Sequence, residues 1–214
     1  EILTSAFYYY SAKKSKSDIV IAENGLFQRY DSVSSIGHHL MNVTCSIGKD
    51  HLDWLPKGKK TIDQIIIEKT SNIESSNIVI SKQGDDKILN KIEKNIKSNS
   101  AKKIVFSKNF NYEINSNGFL YNDAFGSLQL PKPYLLGDHQ ISNAASAISA
   151  VRNLKKFNIK DEHIINGITS VKNMRGRLQV IKNGPLKSLA PLNTIICDVA
   201  HNPNAGNAIK KYFA

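Results

Sequence analysis

Four groups of residues along this chain have side-chain types and spacings that could do chemistry. The most informative is Ile195-Ile196-Cys197-Asp198-Val199-Ala200-His201-Asn202-Pro203. Its first half is rich in β-formers and reads as a buried strand. Asn202 and Pro203 have the types expected at a helix N-cap and first helical position. Asp198 and His201 are thereby placed at the carboxyl end of a strand, the edge at which open α/β sheets bind ligands. An acid and a histidine there are more often functional than structural, although Asp198 could also simply close a turn. Glu23, after residues 18–22, and Asp50-His51, after residues 40–47, occupy the same kind of edge. The fourth group is Gly137-x-His139-Gln140-x-x-Asn143, with Arg175-Gly176-Arg177 further on. Taken singly each is weak, because a histidine after a strand is usually a hydrogen-bonded structural residue.

The elements that must hold these groups follow from periodicity. Residues 2–14 are predicted as a helix with Ile2, Leu3, Ala6, Phe7, Tyr10 and Ala12 on an apolar face. Buried strands are predicted at 18–22, 40–47, 77–81 and 103–106. Helices are expected at 61–70 and at 85–97, the latter with Ile88, Leu89, Ile92 and Ile96 inward. This alternation predicts a mostly parallel sheet flanked by helices. Residues 112–130, turning at Asn117-Gly118 and bending near Phe125-Gly126, read as an antiparallel hairpin attachment. A long helix rich in small residues is predicted at 141–157 and a short one at 160–169. Then come a polar hinge at 172–177, a strand at 178–181, a loop around Gly184-Pro185, the strand at 195 and a final helix. Two strands and one helix cannot close a core, so the second unit is expected to be incomplete.

Composition narrows the function classes. The 214 residues carry a net charge of +11, and 41% of them are hydrophobic. The basic excess is mostly lysine on solvated stretches, and no basic run carries interleaved aromatics to stack on bases. A nucleic-acid partner is not expected; a general attraction to anionic small molecules is. No apolar run approaches a membrane span, and no signal peptide is visible. Cys45 and Cys197 lie in apolar, strand-like runs, which predicts buried thiols in a reducing cytoplasm.

In this order and on these elements, the four groups resemble the folylpolyglutamate synthase and dihydrofolate synthase family of the Mur ligase superfamily. The resemblance runs over nearly the whole chain. It is clearest in Ser46-Ile47-Gly48-Lys49-Asp50-His51, in Leu135 through Ala145, in Arg175-Gly176-Arg177 and in Asp198-Val199-Ala200-His201-Asn202-Pro203. It implies an α/β fold, with a partial central ATP-binding domain over 1–174. A hinge and the start of a Rossmann-like carboxy-terminal domain follow over 175–214. It also implies an ATP-dependent ligase, in which MgATP phosphorylates a carboxylate and the amine of L-glutamate attacks the acyl phosphate. The implied substrates are ATP, L-glutamate and folate or dihydropteroate, handled by a cytoplasmic monomer. Such chemistry needs Mg²⁺ to neutralise phosphate charge and donors to hold the phosphates.

Carried over position by position, Glu23 and His51 match the Mg²⁺ ligands, and Lys69 matches a lysine that the family carbamylates. Asn143, Arg177 and Asp198 match ATP contacts, and His201 stands near the transferred phosphoryl group. Glu1, with Thr4, and the Tyr30-Asp31-Ser32 segment match stretches that touch the pteridine substrate.

The departures are specific. No Gly-Lys-Ser or Gly-Lys-Thr occurs, since Gly48-Lys49 and Gly58-Lys59 are followed by Asp50 and Lys60. The backbone cradle for phosphates is therefore expected to lie outside this chain, as in an internal fragment. Phe27 and Gln28 stand where the family has glycines, Thr70-Ser71 where it has Ala-Gly, and residues 56–60 read as an insertion. A truncated product without catalysis and a folate- or nucleotide-binding module are the competing expectations. Peptidoglycan-precursor Mur ligases share the fold, but Glu23-x-Gly-x-x-x-Arg29 tilts the reading to the folate branch.

Overall fold

The computed structural model describes residues 1–97 and 100–214. Its centre is a strand whose second half is apolar and buried on both faces. In β2 (Ser75–Ile80), Ile78, Val79 and Ile80 are fully buried, the pattern of a parallel strand covered on both sides. β1 (His39–Thr44) and β3 (Lys102–Val105) pair with it in parallel, with Val43 opposite Val79 and Val79 opposite Ile104. The crossover helices are α2 (Ile62–Thr70) and α3 (Asp86–Asn95). Thr61 and Asp85 start them by accepting backbone N–H groups of Gln64 and Lys87. The two-residue period of β2 divides the core. Ile78 and Ile80 pack with Ile65, Ile66, Leu89 and Ile92 of the crossover helices. Val79 faces the other way, into a cluster with Ile141, Ala145 and Ile148 of α4 (His139–Arg152). The parallel β-α-β-α-β expectation holds.

The attachment after β3 is a three-stranded antiparallel meander rather than a single hairpin. It comprises β4 (Phe110–Asn115), β5 (Gly118–Asp123) and β6 (Gly126–Leu130). Phe110, Phe119, Tyr121 and Leu130 bury its inner face in the α4 cluster. A largely buried ion pair, Arg152 Nη1 to Asp123 Oδ1 at 3.4 Å, ties it to the end of that helix. α4 stops at Arg152, five residues before the predicted end. The buried Asn153 side chain donates to the Ser149 carbonyl and accepts from Lys102 Nζ, and short i→i+3 bonds close the turn.

Three further expectations change. Residues 18–22 form no strand, and Ile21 is 91% exposed. Hydrophobicity prepared that segment for pairing, but among the described residues β1 pairs only with β2, and a strand exists only with a partner. α1 (Ile2–Lys13) forms as predicted, yet its apolar face is uncovered, with Ile2 86% exposed. Cys45 and Cys197 are both exposed rather than buried.

After α5 (Asp161–Ser170), β7 (Gln179–Ile181) and β8 (Ile195–Cys197) make a separate antiparallel pair. β8 is half-exposed because the elements beside it are few. α6 (Pro185–Leu189) replaces the predicted loop, its Pro185 serving as first helical residue, and α7 (Pro203–Phe213) buries no side chain. Among the described residues no helix is long and apolar enough to cross a membrane.

The two-sided burial of β2 makes it the costliest place to lose volume. Ile78→Ala is expected to lower unfolding free energy by about 2–5 kcal/mol in urea denaturation. Ile21→Ala should change it by no more than about 0.5 kcal/mol.

Candidate active site

The site forms where the chain leaving β1 meets the first turn of α7. Beyond its last ladder residue, β1 is held in place by Gln83, a buried side chain three residues past β2. Its Oε1 accepts the Ile47 N–H at 2.8 Å, and its Nε2 donates to the carbonyls of Ser81 (2.9 Å) and Cys45 (3.3 Å). Sequence reasoning missed Gln83; a glutamine just past a strand that is apolar on both faces was the available signal. The chain it fixes runs through Gly48, where a Cβ would overlap the Asn204 side-chain amide, so this loop and α7 meet at glycine distance.

Asp50 lies at the junction. Its Oδ1 accepts the His51 N–H at 2.8 Å, and its Oδ2 accepts Asn202 Nδ2 at 2.9 Å. The same Oδ2 lies 3.5 Å from His51 Nε2 and 3.6 Å from His201 Nε2. Burial by itself would raise the Asp50 pKa. The Asn202 and His51 N–H hydrogen bonds and the two histidines outweigh it, so the carboxyl sits below its usual range and stays ionised. His201 Nδ1 is 2.9 Å from the Val199 carbonyl, which can only accept, so Nδ1 carries a hydrogen and Nε2 is turned to Asp50.

A second group adjoins it. Lys69 Nζ donates to the Leu26 carbonyl at 3.1 Å and lies 5.8 Å from the Phe27 ring centre; Phe27 meets His51 edge-on at 6.0 Å. Burial lowers the Lys69 pKa, against the charges of Asp50 and Cys45, which raise it. Cys45 is exposed by surface area, yet enough chain packs around its thiol for desolvation to push it up. The Glu23 carboxylate adds to that and Lys69 opposes it. Glu23 and Lys69 therefore share the space around Cys45. Gln28 is buried, accepting Asn24 Nδ2 at 2.8 Å while its carbonyl accepts Ser34 Oγ at 3.0 Å. Phe27 and Gln28 thus shape the loop that follows Glu23.

The third group gathers at the start of α4. Burial lowers the His139 pKa and Arg177 lowers it further, while Asp198 and Asp138 oppose them. Gln140 Nε2 donates to His139 Nε2 at 3.0 Å, and Asn143 Nδ2 donates to Gln140 Oε1 at 3.1 Å, so Asn143 joins this group through Gln140. Gly137 precedes it with φ +96°, and a Cβ there would press on the His139 ring. Both Asp198 oxygens are engaged: Oδ2 accepts the Leu178 N–H at 2.7 Å, Oδ1 the Ala200 N–H at 2.8 Å. Asp198 thus closes a turn and staples the start of β7 to the end of β8. Arg177 is exposed beside it.

Glu1, Tyr30, Asp31 and Ser32 stand apart, at the α1 side. Asp31 caps the 3-10 turn Ser32–Ile36 through the Val33 N–H and also accepts the Gly25 N–H, both at 2.9 Å. Ser32 Oγ is 3.0 Å from Thr4 Oγ1, which docks α1 on that turn. Tyr30 is 88% exposed with φ +61°, its ring 5.2 Å from the Arg29 guanidinium, and Glu1 is exposed at the start of α1.

Among the described residues no three His, Cys, Asp or Glu side chains are arranged to hold a metal ion. Magnesium bound to phosphates keeps several waters and needs only one or two protein ligands. Glu23, whose carboxylate acts on the Cys45 thiol, and His51, further along the same loop, supply a carboxylate and an imidazole, a donor set of that size.

No family model matches the chain. It is 29% identical over 210 residues to the dihydrofolate synthase/folylpolyglutamate synthase of Bacillus subtilis (strain 168), covering 94% of this chain and 46% of that protein. It is 30% identical over 210 residues to the protein of the same name from Haemophilus influenzae, covering 93% and 45%. A solved structure of Escherichia coli FolC in complex with DHPP and ADP superposes with TM-score 0.71 at 29% identity, over 91% of this chain and 42% of that one. An FPGS-AMPPCP-folate complex, at 21% identity, matches in fold with TM-score 0.79 over 99% of this chain and 50% of the other. The chain spans about half the length of the curated relatives it matches.

Two measurements check this geometry. NMR of labelled lysine should show Lys69 titrating below the ordinary lysine range, and Asp50→Asn should lower it further by removing a charge that favours the cation. The unfolded chain holds more protons in that window, so the opposition of this amine to folding fades as pH rises through it. Asp198→Asn should cost about 1–3 kcal/mol locally by leaving one backbone N–H unmatched, seen as faster amide exchange at Leu178 or Ala200.

Proposed function

We propose, from the chain's similarity to dihydrofolate synthase/folylpolyglutamate synthases, that its residues form the metal and nucleotide side of an ATP-dependent ligase joining L-glutamate to a folate or dihydropteroate carboxylate. The observation that carries the reading is the meeting of His51 and His201 at one ionised carboxylate, between a sheet edge and a helix start 152 positions apart. A carboxylate must first take a phosphoryl group from ATP, giving an acyl phosphate and ADP. The glutamate amine then displaces phosphate to form the amide.

Glu23 and His51 would hold Mg²⁺, which when bound supplies neutralisation of phosphate charge. Lys69 suits the carbamate role because burial favours its neutral amine, the form that takes up carbon dioxide. His201 keeps Nε2 toward the same cleft and would face the transferred phosphoryl group. Arg177 is open to phosphate and Asn143 lies on the same helix end as His139. Asp198 retains lone pairs for ribose hydroxyls after accepting its two backbone amides. Glu1, Tyr30, Asp31 and Ser32 would border the pteridine. Residues 1–174 act as the central ATP-binding unit and 175–214 as the hinge and first part of the ligase domain, a division supported by the separate β7–β8 pairing. Two exposed free cysteines suit a reducing cytoplasm, and a monomer acting on small molecules suffices for the reaction.

The test is glutamate-dependent phosphate release by the polypeptide carrying these residues, supplied with MgATP, L-glutamate and a reduced folate or dihydropteroate. One phosphate per amide is expected, and release independent of glutamate, or none, overturns the reading. His201→Ala should lower kcat by roughly a hundredfold, the scale of losing one group that stabilises charge in the transition state, with nucleotide affinity nearly unchanged by calorimetry.

A further inference from the structure

α7 is only partly seated by apolar packing. None of its side chains is fully buried, and Ala205, Ala208 and Ile209 are half-buried, so that packing holds it weakly. An ion pair to the central unit, Lys211 Nζ to Asp138 Oδ2 at 3.9 Å, joins two exposed groups and contributes little. The directed hydrogen bonds are in the first turn. There Asn202 works at both ends of one side chain: its Oδ1 accepts the Ala205 N–H at 2.9 Å and starts the helix, and its Nδ2 donates to Asp50 Oδ2 at 2.9 Å. A hydrogen bond to an ionised acceptor is among the stronger kinds. Gly48 adds the clearance, since any side chain there would strike Asn204.

We propose that Asp50 is a positioning residue, the latch that seats the start of α7 on the loop after β1 and sets His51 and His201 on one carboxylate oxygen. The latch makes assembly of the cleft conditional. While Asn202 is bonded to Asp50, the histidine from the sheet edge and the histidine from the carboxy-terminal segment stand together. When it is not, His201 leaves with α7. The consequence for phosphoryl transfer rests on the ligase reading; the latch itself does not.

The experiment needs no turnover. Hydrogen exchange and imidazole NMR are recorded on the 214-residue chain and three variants. Asp50→Asn keeps the shape and removes the charge. Asn202→Asp keeps the helix cap, because aspartate caps as well as asparagine, but opposes two carboxylates. Each single change is expected to speed amide exchange at 48–52 and along α7 by roughly tenfold, the scale of losing a charge-assisted hydrogen bond. Each should also shift the His51 and His201 resonances while those of His38, His39 and His163 stay in place. The double variant D50N/N202D, in which donor and acceptor trade places, should return exchange to within about threefold of the parent, as expected of directly coupled residues. Unchanged exchange in the single variants, all histidine resonances moving together, or a double variant as labile as the singles would each overturn the latch. Loss of ligase turnover with this pattern intact would count against the proposed function alone.

Discussion

The rest of the structure depends on β2 being buried on both faces. Ile78 and Ile80 point to one core and Val79 to the other, so the strand can neither slip by one residue nor turn polar without losing both. That constraint fixes where β2 ends. Immediately after it, Gln83 reaches across and supplies the hydrogen bonds that β1 lacks once its ladder stops. The loop bearing Cys45, Gly48, Asp50 and His51 therefore inherits its position from a strand buried on both faces, through one amide side chain. A site built on such a loop has the precision of the sheet and the solvent access of its edge.

Electrostatics around the loop after β1 and the start of α4 follows from partial burial and from how the charges are shared. Desolvation is the largest influence on Asp50, Lys69, Cys45 and His139 alike. For Lys69 and His139 it prevails and favours the neutral base. For Asp50 it is overcome, because a directed amide donor, a backbone N–H and two imidazoles converge on one carboxyl. The outcome is an ionised carboxylate near an amine biased toward its neutral form, with a second such base, His139, at the start of α4.

Much of the fold was legible. The parallel β-α-β-α-β order and every helix of more than eight residues follow from periodicity and caps, and Asn202-Pro203 announced α7 correctly. The failures share a cause. Ile19 to Ile21 and the apolar face of α1 have the right residues, but their state depends on what lies beside them, and hydrophobic pattern is silent on partners. The end of α4 was missed because Asn153 terminates it through a tertiary bond to Lys102 as well as a local one. For Asp198 residue type favours a ligand contact over a turn; the chain uses it for the turn and leaves lone pairs over.

What the sequence by itself determined is the inventory: an acid or histidine beyond β1 and β8, Glu23 in the stretch before β1, Arg177 before β7, Lys69 on α2, and the order that carries the resemblance. Their identity and local setting follow from types a few residues apart. Which of them meet was decided only by tertiary structure. Asp50 and Asn202 are 152 positions apart, and nothing local in either segment encodes the other. Their contact exists because β2 sets the loop after β1, Gly48 admits the start of α7, and a carboxylate held ionised there needs a donor.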